Sequence, residues 1–173
     1  MRVAIIGQGY VGLTITVGAA GAGHNVVGID VSSDLVTQLK AGKSHIEGIS
    51  DSSLAGFIGS GTYTASTDAA LLDGCDVIVI AVPTPLDAAR NPDLSYVHAA
   101  ADLIANNVKS AALIVNESTS YPGTLRKEIA ARIKGVEHMY ASSPERVDPG
   151  NSQWGTKNTP RLIGGLTLAA VAK

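Results

Sequence analysis

The residues of this chain whose types and spacing can do chemistry begin with three glycines and an acid. Gly7-Gln8-Gly9-Tyr10-Val11-Gly12 follows an apolar run, Val3-Ala4-Ile5-Ile6, and opens a small-residue stretch that reads as a helix. A second apolar run, Val26-Val27-Gly28-Ile29, ends at Asp30. Strand, G-x-G-x-x-G, helix, strand, acid is the order that holds a dinucleotide. Gly7 permits the tight turn off the strand. Gly9 places no side chain between the backbone and a pyrophosphate. Gly12 lets the helix sit close to the sheet. The helix start, Tyr10 and Val11, presents unpaired N–H groups and a partial positive charge to phosphates. Asp30 lies 18 residues beyond Gly12, where its carboxylate can accept both ribose hydroxyls of an adenosine. It would repel a 2′-phosphate, and Val31-Ser32-Ser33 offers no Arg to receive one. NAD is therefore expected over NADP. FAD is the alternative that the fingerprint alone leaves open.

Thr119 and Glu145 are the next candidates. A Thr hydroxyl can position a water or a substrate oxygen, and a Glu can act as acid or base, more so where burial raises its pKa. Each has a plain structural reading as well. Thr119 can cap the turn into the next helix, and Glu145 can be a solvated loop charge. Arg146 can pair with a phosphate or carboxylate, or with Asp148. Cys75 precedes an apolar strand. It therefore lies about seven residues, or roughly 20 Å, from that strand's C-terminal end, and reads as a small buried residue. The four histidines, His24, His45, His98 and His138, show no metal-ligand spacing and read as turn, loop or helix-surface residues; no metal is expected.

These residues need elements to position them. Strands are expected over 2–6, 26–29, 62–65, 76–82, 112–116, 138–141 and 161–163. Helices are expected over 10–22, 34–41, 52–58, 94–108 and 124–133, with a helical turn at 67–72 and a further helix beginning at 166. In the first helix Val11, Ile15, Gly18, Ala19 and Ala22 recur at three- and four-residue spacing and predict the inward face. Asp76-Val77-Ile78-Val79-Ile80-Ala81-Val82 is apolar on both faces, as a central parallel strand must be. The alternation predicts an α/β fold, a Rossmann-type doubly wound parallel sheet in a single domain. Right-handed crossovers then bring the loops 7–12, 82–85, 116–123 and 142–150 to one rim, where ligands of such sheets bind. The domain is expected to span 1–165, with 166–173 starting a connecting helix.

Composition narrows the function classes. A chain of 173 residues with 45% hydrophobic but only 4% aromatic content must build its core from Val, Ile, Leu and Ala. A net charge of −2 gives no electrostatic case for nucleic acid or an anionic membrane. The run from Val11 to Gly23 is too short and glycine-rich to span a bilayer. The start is too weakly apolar for a signal peptide. A single cysteine excludes an internal disulfide framework and fits a reducing cytoplasm.

Several loops together resemble one family. Gly7-x-Gly9-Tyr10-Val11-Gly12-Leu13, Val82-Pro83-Thr84-Pro85, Asn91 to Val97, Glu117-Ser118-Thr119 with Pro122-Gly123, and Ser143-Pro144-Glu145-Arg146-Val147-Asp148-Pro149-Gly150 look like the N-terminal NAD-binding domain of the UDP-glucose/GDP-mannose dehydrogenases. His45-Ile46-Glu47-Gly48 and the Ser143 to Gly150 loop look closest to the branch acting on UDP-N-acetylamino sugars. The resemblance implies oxidation of a sugar C6 alcohol to the aldehyde and then the carboxylate, with two NAD⁺ reduced in turn, as in the supply of uronates for polysaccharides. It implies that a cysteine captures the aldehyde and that water hydrolyses the resulting thioester. Carried over, Gly7 to Gly12 and Asp30 hold the adenosine half of NAD, and Val82, Pro83, Thr84 and Thr119 line the nicotinamide half. Thr119 and Glu145 handle the water and protons of hydrolysis, and Glu145, Arg146 and Val147 touch the nucleotide sugar. The family's nucleophilic cysteine, its active-site lysine and asparagine, and its nucleotide-binding domain are expected beyond this domain. So is the region that makes the family's homodimers and larger oligomers. The chain is thus expected to bind NAD without turning over a nucleotide sugar. A free-standing, non-catalytic NAD-binding module is the alternative. Another type of NAD-dependent dehydrogenase would need a His or Lys base on the rim, and no histidine is placed for it. Leu35 departs from the family, where many relatives carry a basic residue near the adenosine.

Overall fold

In the computed structural model, which describes residues 1–145 and 158–173, one seven-stranded sheet runs in the order β3-β2-β1-β4-β5-β6-β7. The strands are β1 (Arg2–Ile6), β2 (Asn25–Ile29), β3 (Tyr63–Ser66), β4 (Val77–Ile80), β5 (Leu113–Asn116), β6 (Met139–Ser142) and β7 (Gly164–Gly165). The first six are parallel. β1 pairs with β2 on one side and with β4 on the other, so the strand order reverses between β1 and β4. Helices α1 (Tyr10–Gly21), α2 (Ser33–Lys40), α3 (Asp51–Gly59), α4 (Ser95–Asn107) and α5 (Leu168–Ala172) cover the faces. One core lies under α4, built from residues such as Ile78, Ile80, Val97, Ile104 and Ile114. The other lies under α1 to α3, around Ile5, Leu13, Leu39, Leu54 and Tyr63. Among the described residues no helix is long and apolar enough to cross a membrane.

Local chemistry sets most element boundaries. Ser32, Ser50 and Thr167 each accept a hydrogen bond from the third residue beyond, at the starts of α2, α3 and α5. Asp73 accepts from the Lys109 and Ser110 amides and from the Ser110 hydroxyl, tying the approach to β4 to the approach to β5. Those donors hold its carboxyl below the usual 3.8. Its contribution to stability is therefore present above pH 3.8 and lost as pH falls through the lower folded value. Thermal melts between pH 5 and 2 should show less acid loss for Asp73→Asn than for the wild type.

Four expectations need correction. The inward face of α1 is Gly12, Leu13, Thr16 and Ala20, while Val11, Ile15 and Ala19 are half-buried and Gly18 and Ala22 exposed. Small apolar residues line both faces of this helix, so spacing does not choose between them. The close approach of Gly12 to the Gly7 carbonyl and the bond from the Thr16 hydroxyl to Gln8 Oε1 do. The last strand is Gly164–Gly165, not 161–163, and it runs antiparallel to β6. The helix expected over 124–133 is confined to residues 125–130 and is a π-helix. His138 is buried rather than on the surface: its Nδ1 accepts from the Ala112 amide, and burial depresses its pKa.

Candidate cofactor-binding site

The chain leaves β1 through a turn that its own backbone makes obligatory. Gly7 has φ +90°, its N–H donates to Ile29 O, and a Cβ there would lie 2.4 Å from Ala81 O. A Cβ on Gly12 would lie 1.8 Å from Gly7 O. Gly9 differs, because a Cβ there meets nothing within 4 Å. Two glycines therefore answer to the protein, and the third faces open space at the start of α1, where no side chain caps the helix. The N–H groups of the first turn, at Tyr10 and Val11, are thereby left to a ligand.

Asp30 is held on both oxygens. Oδ2 accepts from the Gln8 amide at 2.7 Å and Oδ1 from the Ser32 amide at 2.9 Å. A carboxylate has about four lone-pair sites, so each oxygen can still accept from a ribose hydroxyl. Asp30 borders a cleft of about 270 Å³, lined also by Ile6, Gly7, Gly9, Val31, Leu35, Val82, Pro83, Tyr96 and Leu103. Among the described residues Asp30 is its only charged lining group. An apolar slot with one fixed acid, at the point where strand order reverses, suits an adenosine. The glycine with room beside it and the uncapped helix suit the pyrophosphate. These residues fit NAD. Leu35, the departure from the family pattern, makes one wall of the slot.

Further along the rim the loops after β4, β5 and β6 are braced together. The Ser118 hydroxyl donates to Val82 O at 2.8 Å and accepts from the Val82 amide at 3.0 Å. Thr119 beside it is exposed and makes no hydrogen bond to a described residue; Thr124, not Thr119, bonds the turn at Tyr121 O. Thr84 is half-buried in the loop after β4. Glu145 is not a solvated charge. Arg161 Nη2 donates to Glu145 Oε2, and Arg161 Nη1 donates to both oxygens of Glu117 at 3.0 Å. Glu117 is buried, and burial pushes its carboxyl above the usual 4.5 against the opposing pull of Arg161. Arg146 and Val147 lie outside the described residues. Cys75 is buried before β4, at the end of the strand away from the rim, with its thiol pushed up by burial.

The structure therefore gathers Gly7, Gly9, Asp30, Val82 and Pro83 around one cleft, with Gly12 behind the turn. Thr119 and Glu145 stand on the same rim, beyond the cleft lining. Sequence reasoning missed Gln8, Ser118 and Arg161. No periodicity links Arg161 to Glu117 44 residues away.

The family model described as "UDP-glucose/GDP-mannose dehydrogenase family, NAD binding domain" matches residues 1–173. The chain belongs to this family. As its NAD-binding domain, it is 34% identical over 177 residues to the UDP-N-acetyl-D-mannosamine dehydrogenase of Pyrococcus horikoshii, covering 98% of this chain and 42% of that protein. It is 36% identical over 170 residues to the enzyme of that name from Methanococcus maripaludis, covering 95% and 39%. The solved UDP-glucose dehydrogenase of Pyrobaculum islandicum superposes with a TM-score of 0.90 at 32% identity, over 99% of this chain and 42% of that one. The NAD-binding domain thus spans about two fifths of the length of the relatives it matches.

Proposed function

We propose that this domain is the cofactor-holding part of a dehydrogenase that oxidises the C6 alcohol of a UDP-N-acetylhexosamine to the carboxylate. The observation that carries the reading is the coexistence, on one rim, of a ribose-reading cleft and an arginine-bridged pair of carboxylates, in a chain whose relatives are named for UDP-N-acetylamino sugars. Gly7, Gly9, Gly12 and the first turn of α1 at Tyr10 and Val11 hold the pyrophosphate. Asp30 holds the adenosine ribose, and Val82, Pro83, Thr84 and Thr119 line the path toward the reacting carbon. NAD⁺, when bound, supplies the hydride acceptor for each of the two oxidation steps. Thr119, exposed with a free hydroxyl, positions the hydrolytic water. Glu145 takes a proton from that water, with Arg161 holding its carboxylate in place. Arg146 and Val147 contact the nucleotide sugar. The nucleophilic thiol belongs to another part of the complete enzyme, because Cys75 is buried at the wrong end of β4. The rest of the complete enzyme also carries the contacts of a homodimer or larger oligomer, and the enzyme works in the cytoplasm.

Two measurements test this reading. Titration calorimetry on the chain should show NAD⁺ binding and NADP⁺ binding about 100-fold weaker, since Asp30 would face the 2′-phosphate. Equal or tighter NADP⁺ binding sinks the Asp30 assignment. Mixed with NAD⁺ and UDP-N-acetylglucosamine or UDP-N-acetylmannosamine, the chain alone should form no NADH, whereas the complete enzyme should form two per sugar. Turnover by the chain alone removes the need for an outside thiol and overturns the division of labour.

A further inference from the structure

Gln8 sits between the two glycines of the turn, yet its side chain points away from the rim and is fully buried. All four hydrogen-bonding valences of its amide are used. Nε2 donates to Ile5 O at 3.1 Å and to Gly7 O at 3.2 Å. Oε1 accepts from the Thr16 hydroxyl at 3.2 Å and from the Tyr63 hydroxyl at 2.9 Å. One side chain thereby joins β1, the turn, α1 and β3. The fit also accounts for a glycine in the middle of β2. A Cβ on Gly28 would lie 2.5 Å from the Gln8 side-chain amide. At the other end of the residue, the Gln8 amide is the group that holds Asp30 Oδ2.

We propose that Gln8 is a positioning residue of the cofactor site: its buried side chain fixes the turn so that its own amide holds Asp30 ready for the adenosine ribose. The physical case rests on what a buried amide costs. An apolar side chain of the same size would fill this space without a desolvation penalty. A fully bonded amide adds direction, because its bonds are lost together when the turn rotates. Rotation of the turn would move the Gln8 N–H from Asp30 and the Gly7 carbonyl from its donor at once. The carboxylate would then have to be ordered by the ligand, and affinity would fall by that ordering cost. Tyr63 and Thr16 act one step further back, through Gln8.

The inference rests on the NAD reading of the cleft, and the experiment separates the two. NAD⁺ is titrated calorimetrically into the wild-type chain and into Gln8→Met, Asp30→Asn and the double variant, well below their melting temperatures. Gln8→Met keeps the volume and removes the four side-chain bonds. It should weaken NAD⁺ binding roughly tenfold in the Asp30 background. In the Asp30→Asn background the same change should cost about threefold or less, because the carboxylate that the Gln8 N–H orients has lost its charge and one of its two acceptor oxygens. A role in packing alone would lower the melting temperature and leave the two losses independent. Tyr63→Phe, which removes one donor and no volume, should weaken NAD⁺ by about threefold and serves if Gln8→Met does not fold. The proposal is overturned by folded variants that bind NAD⁺ within about twofold of wild type, or by equal losses in both Asp30 backgrounds. Failure of the wild-type chain to bind NAD⁺ would instead overturn the cofactor reading beneath it.

Discussion

Gly12→Ala should lower the melting temperature by about 6 °C, while Gly9→Ala should leave it within about 2 °C and weaken NAD⁺ binding at least about tenfold. The two substitutions add the same methyl group to one turn, and the surroundings decide the sign. At Gly12 the new carbon would lie 1.8 Å from the Gly7 carbonyl oxygen and 2.9 Å from its carbon. Neither partner is a flexible side chain, so α1 must move off β1. Overpacking of this kind costs about 3 kcal/mol or more. The gain from replacing a helical Gly with Ala is only about 1 kcal/mol and does not offset it. At Gly9 nothing lies within 4 Å, and φ −69°, ψ −162° suits any L-residue. The protein therefore tolerates the methyl. It occupies the space in which a pyrophosphate must approach, so affinity should fall by at least about tenfold. Calorimetric melts and NAD⁺ titrations on both variants decide the matter. Wild-type NAD⁺ affinity in Gly9→Ala would show that the phosphates do not lie on this turn.

Arg161→Met should destabilise the domain by about 3 kcal/mol at pH 7 and by much less near pH 4.5. Arg161 is the cation that both Glu117 and Glu145 share, and the Glu117 side chain is only 8% exposed. Without it two carboxylates are left close together, one of them deeply buried. The pH dependence follows from the direction of the Glu117 shift. Its folded pKa is raised above the usual 4.5, first by burial. Its contribution is therefore fully favourable below 4.5 and is lost as pH rises through the folded value. Arg161 limits that loss, so its removal widens the window and is felt most at neutral pH. Protonation of Glu117 at low pH relieves its buried charge. Urea denaturation of wild type and variant at the two pH values measures this, with NAD⁺ binding as a control, since Arg161 does not line the cleft. A penalty independent of pH would mean that Arg161 acts by packing its alkyl stem and not as the counter-charge. Glu117→Gln in the Arg161→Met background should recover part of the loss.

The glycine turn and the acid that border the cleft were legible because they are local. Strand, turn, helix and acid follow one another within Met1 to Asp30, and each part has a composition that physics demands at its place. The wall of the cleft after β4 was legible too, because a run apolar on both faces must be a central strand and its end must reach the rim. The braces were not legible. Ser118 bonds Val82 across 36 residues, Tyr63 bonds Gln8 across 55, and Arg161 gathers Glu117 and Glu145 from two other loops. Such contacts leave no period and no motif. The inward face of α1 was misjudged for a related reason. Both faces carry small apolar residues, and the choice is made by Thr16 bonding Gln8 and by Gly12 touching Gly7, contacts that exist only once the sheet is assembled.

By itself, then, the sequence determined the order of elements, the parallel arrangement of the first six strands, the glycine-rich turn and the acid that follows β2. These rest on propensity, periodicity and the absence of a side chain, which neighbouring residues settle among themselves. The tertiary structure alone decided which glycine faces open space rather than the backbone. It also set how Asp30 is held, which carboxylates share Arg161, and that the last strand runs antiparallel to β6. Each of these depends on distances between segments far apart in the chain, and those distances are set by packing.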